Sequence, residues 1–127
     1  MSPGKLRHSI LIVDDDLLLL ETVVELFQGE GWTVYQASTV KEAMRILKEI
    51  TVDVILSDIR MPTEGGFELA TQTRDLRAEN KNVHLFFMTG FTDYPESVLL
   101  SLGARGIIYK PFHPGELLEK ITGVLKK

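Results

Sequence analysis

"ILIVDDDLLLLE", residues 10–21, decides how the rest of the chain is read. Ile10 to Val13 are branched aliphatics with the continuity of a strand covered on both faces. They run straight into three carboxylates, Asp14, Asp15 and Asp16, before the chain turns apolar again. Crowded carboxylates either hold their protons or destabilise the fold unless something positive meets them. The stretch therefore predicts a buried strand whose tip is part of a charged site.

Runs of the same kind recur along the chain. "SILIV" (9–13), "TVYQA" (33–37), "DVILS" (53–57), "HLFFM" (84–88) and "GIIY" (106–109) are all of strand length. Four are almost continuously apolar, and the second alternates like an edge strand. Between them lie helix patterns. Leu17, Leu20, Val24 and Phe27 share one helical face, with Leu19, Val23 and Leu26 widening it, Asp16 as N-cap and Gly29 to Gly31 as the stop. Thr39 and Glu42 have the spacing of a capping box ahead of Ala43, Leu47 and Ile50. Further helices are predicted over 66–79, 95–102 and 114–125, the last two with proline in the first turn. Strands alternating with helices over short loops predict parallel βαβ units, and so a doubly wound five-stranded α/β sheet with helices on both sides.

The 127 residues fit one domain, 1–127, with its core over about 9–125. Hydrophobic residues at 44% and charged residues at 25% are ordinary for a globular chain. No apolar run reaches the roughly 20 residues of a membrane helix, and the first residues lack a secretory segment, so a cytoplasmic protein is expected. Cysteine is absent, which excludes disulfides and thiolate chemistry. A net charge of −4 gives no basic patch for nucleic acid. His8, His84 and His113 have no metal-ligand spacing and read as structural or surface residues; Met44, Met61 and Met88 read as core or loop packing.

In a parallel sheet of this kind the strands end at one rim, so residues that follow different strands meet there. Asp14 and Asp15 follow the first strand, Asp58 the third, Thr89 the fourth and Lys110 the fifth. Carboxylates without histidine suit Mg²⁺, a hard cation that takes oxygen ligands and keeps several waters. A carboxylate nucleophile beside a cation, a hydroxyl and an ammonium is suited to accepting a phosphoryl group: Asp58 attacks, Mg²⁺ and Lys110 offset charge on the equatorial oxygens, and Thr89 hydrogen-bonds to one of them.

"LIVDDD", "SDIRMP", "MTG" and "GARGIIYKPF" follow one another in an order and spacing that resembles the receiver domain of two-component response regulators, over roughly residues 9–125. The resemblance implies a flavodoxin-like (βα)5 three-layer sandwich with strand order 2-1-3-4-5. It implies that Asp58 is the phosphoacceptor, and that Asp15, Asp58 and the main-chain carbonyl of Arg60 ligate Mg²⁺, with Asp14 acting through water. Thr89 and Lys110 would contact the phosphoryl group. The implied partner is a histidine kinase or phosphotransfer protein, in a signalling rather than an enzymatic role, with at most self-catalysed phosphorylation and dephosphorylation. The fourth helix, fifth strand and fifth helix would make a partner or homodimer face. No effector domain follows Lys127 in this sequence, so output is expected through a separate partner, unless the chain is cut from a larger protein.

Two positions depart from the family pattern. Ile107 stands where the family usually carries a switching Phe or Tyr; Tyr109 lies on the same strand face, about 6–7 Å further on. Either the readout differs or switching is weak. Gly65 replaces a common acidic residue and is expected to loosen the loop after Asp58. Arg60 and Phe91 are placed to screen the acceptor from water. Two alternatives come from other classes: a phosphorylation-independent module of the same fold, and a haloacid-dehalogenase-type phosphohydrolase, because Asp14 and Asp16 mimic a strand-end D-x-D.

Overall fold

The computed structural model describes residues 7–90 and 94–125. Its strands are β1 (Ser9–Val13), β2 (Thr33–Ala37), β3 (Val54–Asp58), β4 (His84–Thr89) and β5 (Ala104–Tyr109), all parallel, in the order β2-β1-β3-β4-β5. The helices are α1 (Leu17–Gly29), α2 (Val40–Glu49), α3 (Gly66–Gln72), α4 (Arg74–Glu79), α5 (Glu96–Ser101) and α6 (Pro114–Leu125). This is the doubly wound sheet of order 2-1-3-4-5 that the sequence implied, with β2 as the half-exposed edge.

Alternate strand residues feed two cores, the physical reason for the near-continuous apolar runs. Ile10, Ile12, Val54, Leu56, Phe86, Met88 and Ile108 pack with α1 and α6 through Leu20, Val24, Phe27, Leu117 and Ile121. Leu11, Val13, Ile55, Phe87 and Ile107 pack on the other side with Ala43, Leu47, Leu69 and Leu99 from α2, α3 and α5. Asp16 caps α1 by accepting from Leu19 N–H at 3.1 Å, and Thr39 Oγ1 caps α2 by accepting from Glu42 N–H at 3.1 Å.

Some expectations change. The helix over 66–79 is two helices that meet at Thr73. There the Thr73 hydroxyl donates to Leu69 O at 2.8 Å, and Arg77 Nη2 donates to Ala70 O at 2.7 Å and to Leu102 O at 3.2 Å. Side-chain donors inserted into the carbonyl ladder bend a helix, and Arg77 here also ties the bend to the chain ahead of β5. Leu17, assigned to the buried face of α1, is exposed together with Leu18. In α5, Leu99 is buried, whereas Leu100 and Val98 are exposed.

At the opposite end of the sheet, His84 carries a buried Nδ1 with no hydrogen-bond partner among the described residues. Burial first, and the nearby Arg105 charge second, hold its pKa below the ordinary histidine value, against the opposing pull of Asp53. The folded chain therefore resists protonation at His84 while the unfolded chain accepts it near pH 6.5, so stability is lost as pH falls through that value. His84→Gln is expected to flatten this part of the profile of unfolding free energy against pH between 7 and 5, measured by urea denaturation followed at Trp32.

Candidate functional site

Main-chain hydrogen bonds extend three of the four strand pairings, β1–β2, β3–β4 and β4–β5, past the C-terminal ends of the strands. Asp14 N–H donates to Ala37 O (3.1 Å), Ile59 N–H to Met88 O (3.3 Å) and Lys110 N–H to Thr89 O (2.7 Å). The residues at the tips are thereby held in register, and four of those the sequence singled out share one pocket. Lys110 Nζ donates to Asp58 Oδ2 at 2.8 Å and to Asp14 Oδ2 at 3.2 Å. One carboxylate oxygen from each of Asp14, Asp15 and Asp58 lies within 4.8 Å of the other two.

Each group has a local reason for its place. Asp14 is fully buried just past β1, and its Oδ1 accepts from Asp16 N–H at 2.9 Å, which folds the acidic turn back on itself. Asp58 ends β3, and its Oδ1 accepts from Arg60 N–H at 3.2 Å. Asp15 is exposed beside them. Thr89 is buried at the end of β4, with its carbonyl on Lys110 N–H. Asp16, by contrast, is occupied as the cap of α1, which removes it from a D-x-D arrangement.

The electrostatics follow from burial. Desolvation pushes Asp14 above the usual carboxylate range, and Asp58 adds to the push; the Asp16 N–H and the Lys110 charge work against it. Burial alone would lower Lys110, but the hydrogen bond and charge of Asp58 and the charge of Asp14 outweigh it, so its pKa is raised. Lys110 is thus kept charged by the carboxylates it neutralises. The donor set, three carboxylates with no nitrogen or sulfur ligand, fits a hard divalent cation such as Mg²⁺.

The sequence reading counted the ends of four strands and left out the fifth. Residues after β2 also reach this rim: Ser38, Thr39 and Lys41 line a groove of about 470 Å³ together with Asp15, Leu17, Met61 and Pro62. The rim rule applied to every strand includes these residues, and Met61 is a groove residue as well as loop packing. Phe91 lies outside the described residues.

The sequence profile of the response regulator receiver domain matches residues 10–122. The chain is 37% identical over 119 residues to the aerobic respiration control protein ArcA of Escherichia coli K12, covering 93% of this chain and 48% of ArcA, so it spans about half of that relative's length. Among solved structures it is similar to a CheY-like response regulator receiver domain protein from Methanospirillum hungatei (TM-score 0.86, 33% identity, 95% of each chain covered). It is also similar to the response regulator TrrA from Thermotoga maritima, solved in complex with Mg²⁺-BeF (TM-score 0.79, 30% identity, 92% of this chain and 98% of that one). Fold, strand order, acidic pocket and sequence profile agree, and the chain belongs to the family of response regulator receiver domains.

Proposed function

We propose that this receiver domain accepts a phosphoryl group on Asp58 from a histidine kinase or a histidine phosphotransfer protein, with Mg²⁺ as cofactor, and thereby alters a partner-binding surface. The observation that carries the reading is the convergence of Lys110 Nζ on Asp58 and Asp14, at 2.8 and 3.2 Å, within an all-oxygen cluster.

Asp14, Asp15 and Asp58, with the Arg60 carbonyl, would hold the cation. When bound, it supplies positive charge that offsets the oxygens of the transferring phosphoryl group. Asp58 contributes the attacking carboxylate oxygen: an O–P bond forms as the N–P bond of the phosphohistidine donor breaks. Lys110 turns its ammonium to the acquired phosphoryl oxygens, and the Thr89 hydroxyl donates to one of them. Exposed Val98 and Leu100 on α5 and Tyr109 on β5 are the candidate output or homodimer face. This is signalling chemistry in which the chain catalyses its own modification.

Incubation with MgCl₂ and acetyl phosphate, followed by intact-mass analysis, is expected to give a phosphate-sized gain in wild type and none in Asp58→Asn; an undiminished gain in the variant rejects the assignment. Binding of an isolated partner that is equally strong with Asp58→Asn and with phosphorylated wild type would favour the phosphorylation-independent reading.

Lys110→Met leaves two carboxylates without their internal cation. In EDTA it is expected to cost roughly 1–3 kcal/mol, less than a fully buried pair because Lys110 retains 22% side-chain exposure and Asp58 13%. Adding MgCl₂ should then raise its thermal midpoint by more than it raises that of wild type, read by differential scanning fluorimetry.

Arg60→Ala is expected to shorten the aspartyl phosphate lifetime several-fold, followed by the decay of the mass-shifted species. Unchanged decay removes Arg60 from that role.

A further inference from the structure

The loop from Asp58 to α3 is more tightly held than its glycines suggest, which corrects the expectation that Gly65 loosens it. Gly65 N–H donates to Glu68 Oε1 at 2.7 Å, and Gly66 N–H donates to Ile59 O at 2.9 Å. Gly65 has φ −123° and ψ −160°, extended backbone open to any residue, so dihedral freedom is not why glycine stands there. Space is the reason. A Cβ on Gly65 would overlap the Ile59 carbonyl oxygen. One on Gly66 would sit 2.8 Å from Phe87 Cε1 and 2.9 Å from Asp58 O.

The Ile59 carbonyl belongs to the same peptide unit as the Arg60 N–H. That unit is planar and rigid, so its two ends move together. One end is packed against Gly65 and accepts from Gly66; the other donates to Asp58 Oδ1 at 3.2 Å. We infer that Gly65 is a positioning residue for the acceptor: by letting α3 close onto the Ile59 carbonyl, it aims the Arg60 N–H at Asp58 and fixes that carboxylate for Mg²⁺. This departs from the acidic residue common at this position, and it rests on the Mg²⁺-dependent reading above.

The effect should follow the order of contact. In this chain, whose α3 start is packed onto the Ile59 carbonyl, a Cβ added at 65 pushes that oxygen aside, tilts the peptide and swings its N–H off Asp58. Glu68→Ala, on an exposed side chain, only releases the Gly65 N–H and perturbs the same peptide less. Gly123→Ala is a control, because nothing lies within 4 Å of a Cβ at that position in α6.

The test is calorimetric titration of MgCl₂ into wild type, Gly65→Ala, Glu68→Ala and Gly123→Ala, with thermal midpoints taken in EDTA. Gly65→Ala is expected to bind Mg²⁺ about tenfold more weakly, as second-layer changes around a metal commonly do. Glu68→Ala should weaken binding a few-fold, and Gly123→Ala should match wild type. A Gly65→Ala protein that melts lower in EDTA but binds Mg²⁺ like wild type has lost packing alone, and that overturns the inference. Should Gly65→Ala fail to fold, Glu68→Ala decides, with wild-type affinity overturning the inference. A wild-type chain that does not take up Mg²⁺ sinks the proposed function instead.

Discussion

The structure depends on one buried carboxylate. Asp14 stands at the tip of a strand whose preceding residues are wholly apolar, and it has no access to water. Burial and the nearby Asp58 both disfavour its charge. The Lys110 ammonium, carried 96 positions along the chain, meets both carboxylates. A pocket of this kind tolerates its own acidity only if a cation is always at hand, either internal or from solution. The lysine therefore compensates the acidity of the folded chain from within.

That arrangement demands accuracy from strand tips that are remote in sequence. Parallel pairing supplies most of it, because Asp58 lies opposite Met88 in the β3–β4 ladder and Thr89 opposite Tyr109 in the β4–β5 ladder. The three main-chain bonds beyond the ladders carry the register into the loops. A further close contact lies at the start of α3, where two residues without side chains let a helix N-terminus approach the carbonyls of Asp58 and Ile59. Precision here arises mainly from backbone contacts.

Much of this was legible in the sequence because strands buried on two faces must be apolar throughout, and because parallel strands must end at a common rim. Asp14, Asp15, Asp58 and Lys110 could be placed together from those rules alone. Leu17 was misjudged because helical periodicity says which residues share a face and not whether anything packs against the first turn; here Leu17 is exposed and lines the groove beside Asp15. The break at Thr73 was invisible because it comes from a tertiary contact: Arg77 reaches both Ala70 O and Leu102 O, and Leu102 lies 25 residues away. Gly65 misled for a different reason. Glycine in a loop reads as freedom, whereas here the missing Cβ permits a close approach that restricts the loop.

Ile107 poses the remaining mechanical question. It is 2% exposed within the core on the α2–α5 side, and its carbonyl accepts from Lys120 Nζ of α6 at 2.8 Å. A β-branched aliphatic has one strongly preferred rotamer and no ring to swing, so it cannot report the state of the pocket by changing from an outward to an inward position. Tyr109 does not replace it. It lies at the strand end, 42% exposed, opposite Thr89 instead of beneath it. A displacement of Thr89 would instead reach β5 directly through its carbonyl, which holds Lys110 N–H at 2.7 Å, and pass along the strand to the Ile107 carbonyl and its Lys120 tether. In this chain the contacts that connect the Thr89 end of β4 to α6 are one main-chain hydrogen bond onto Lys110 and one lysine side chain on the Ile107 carbonyl, with no aromatic ring between them.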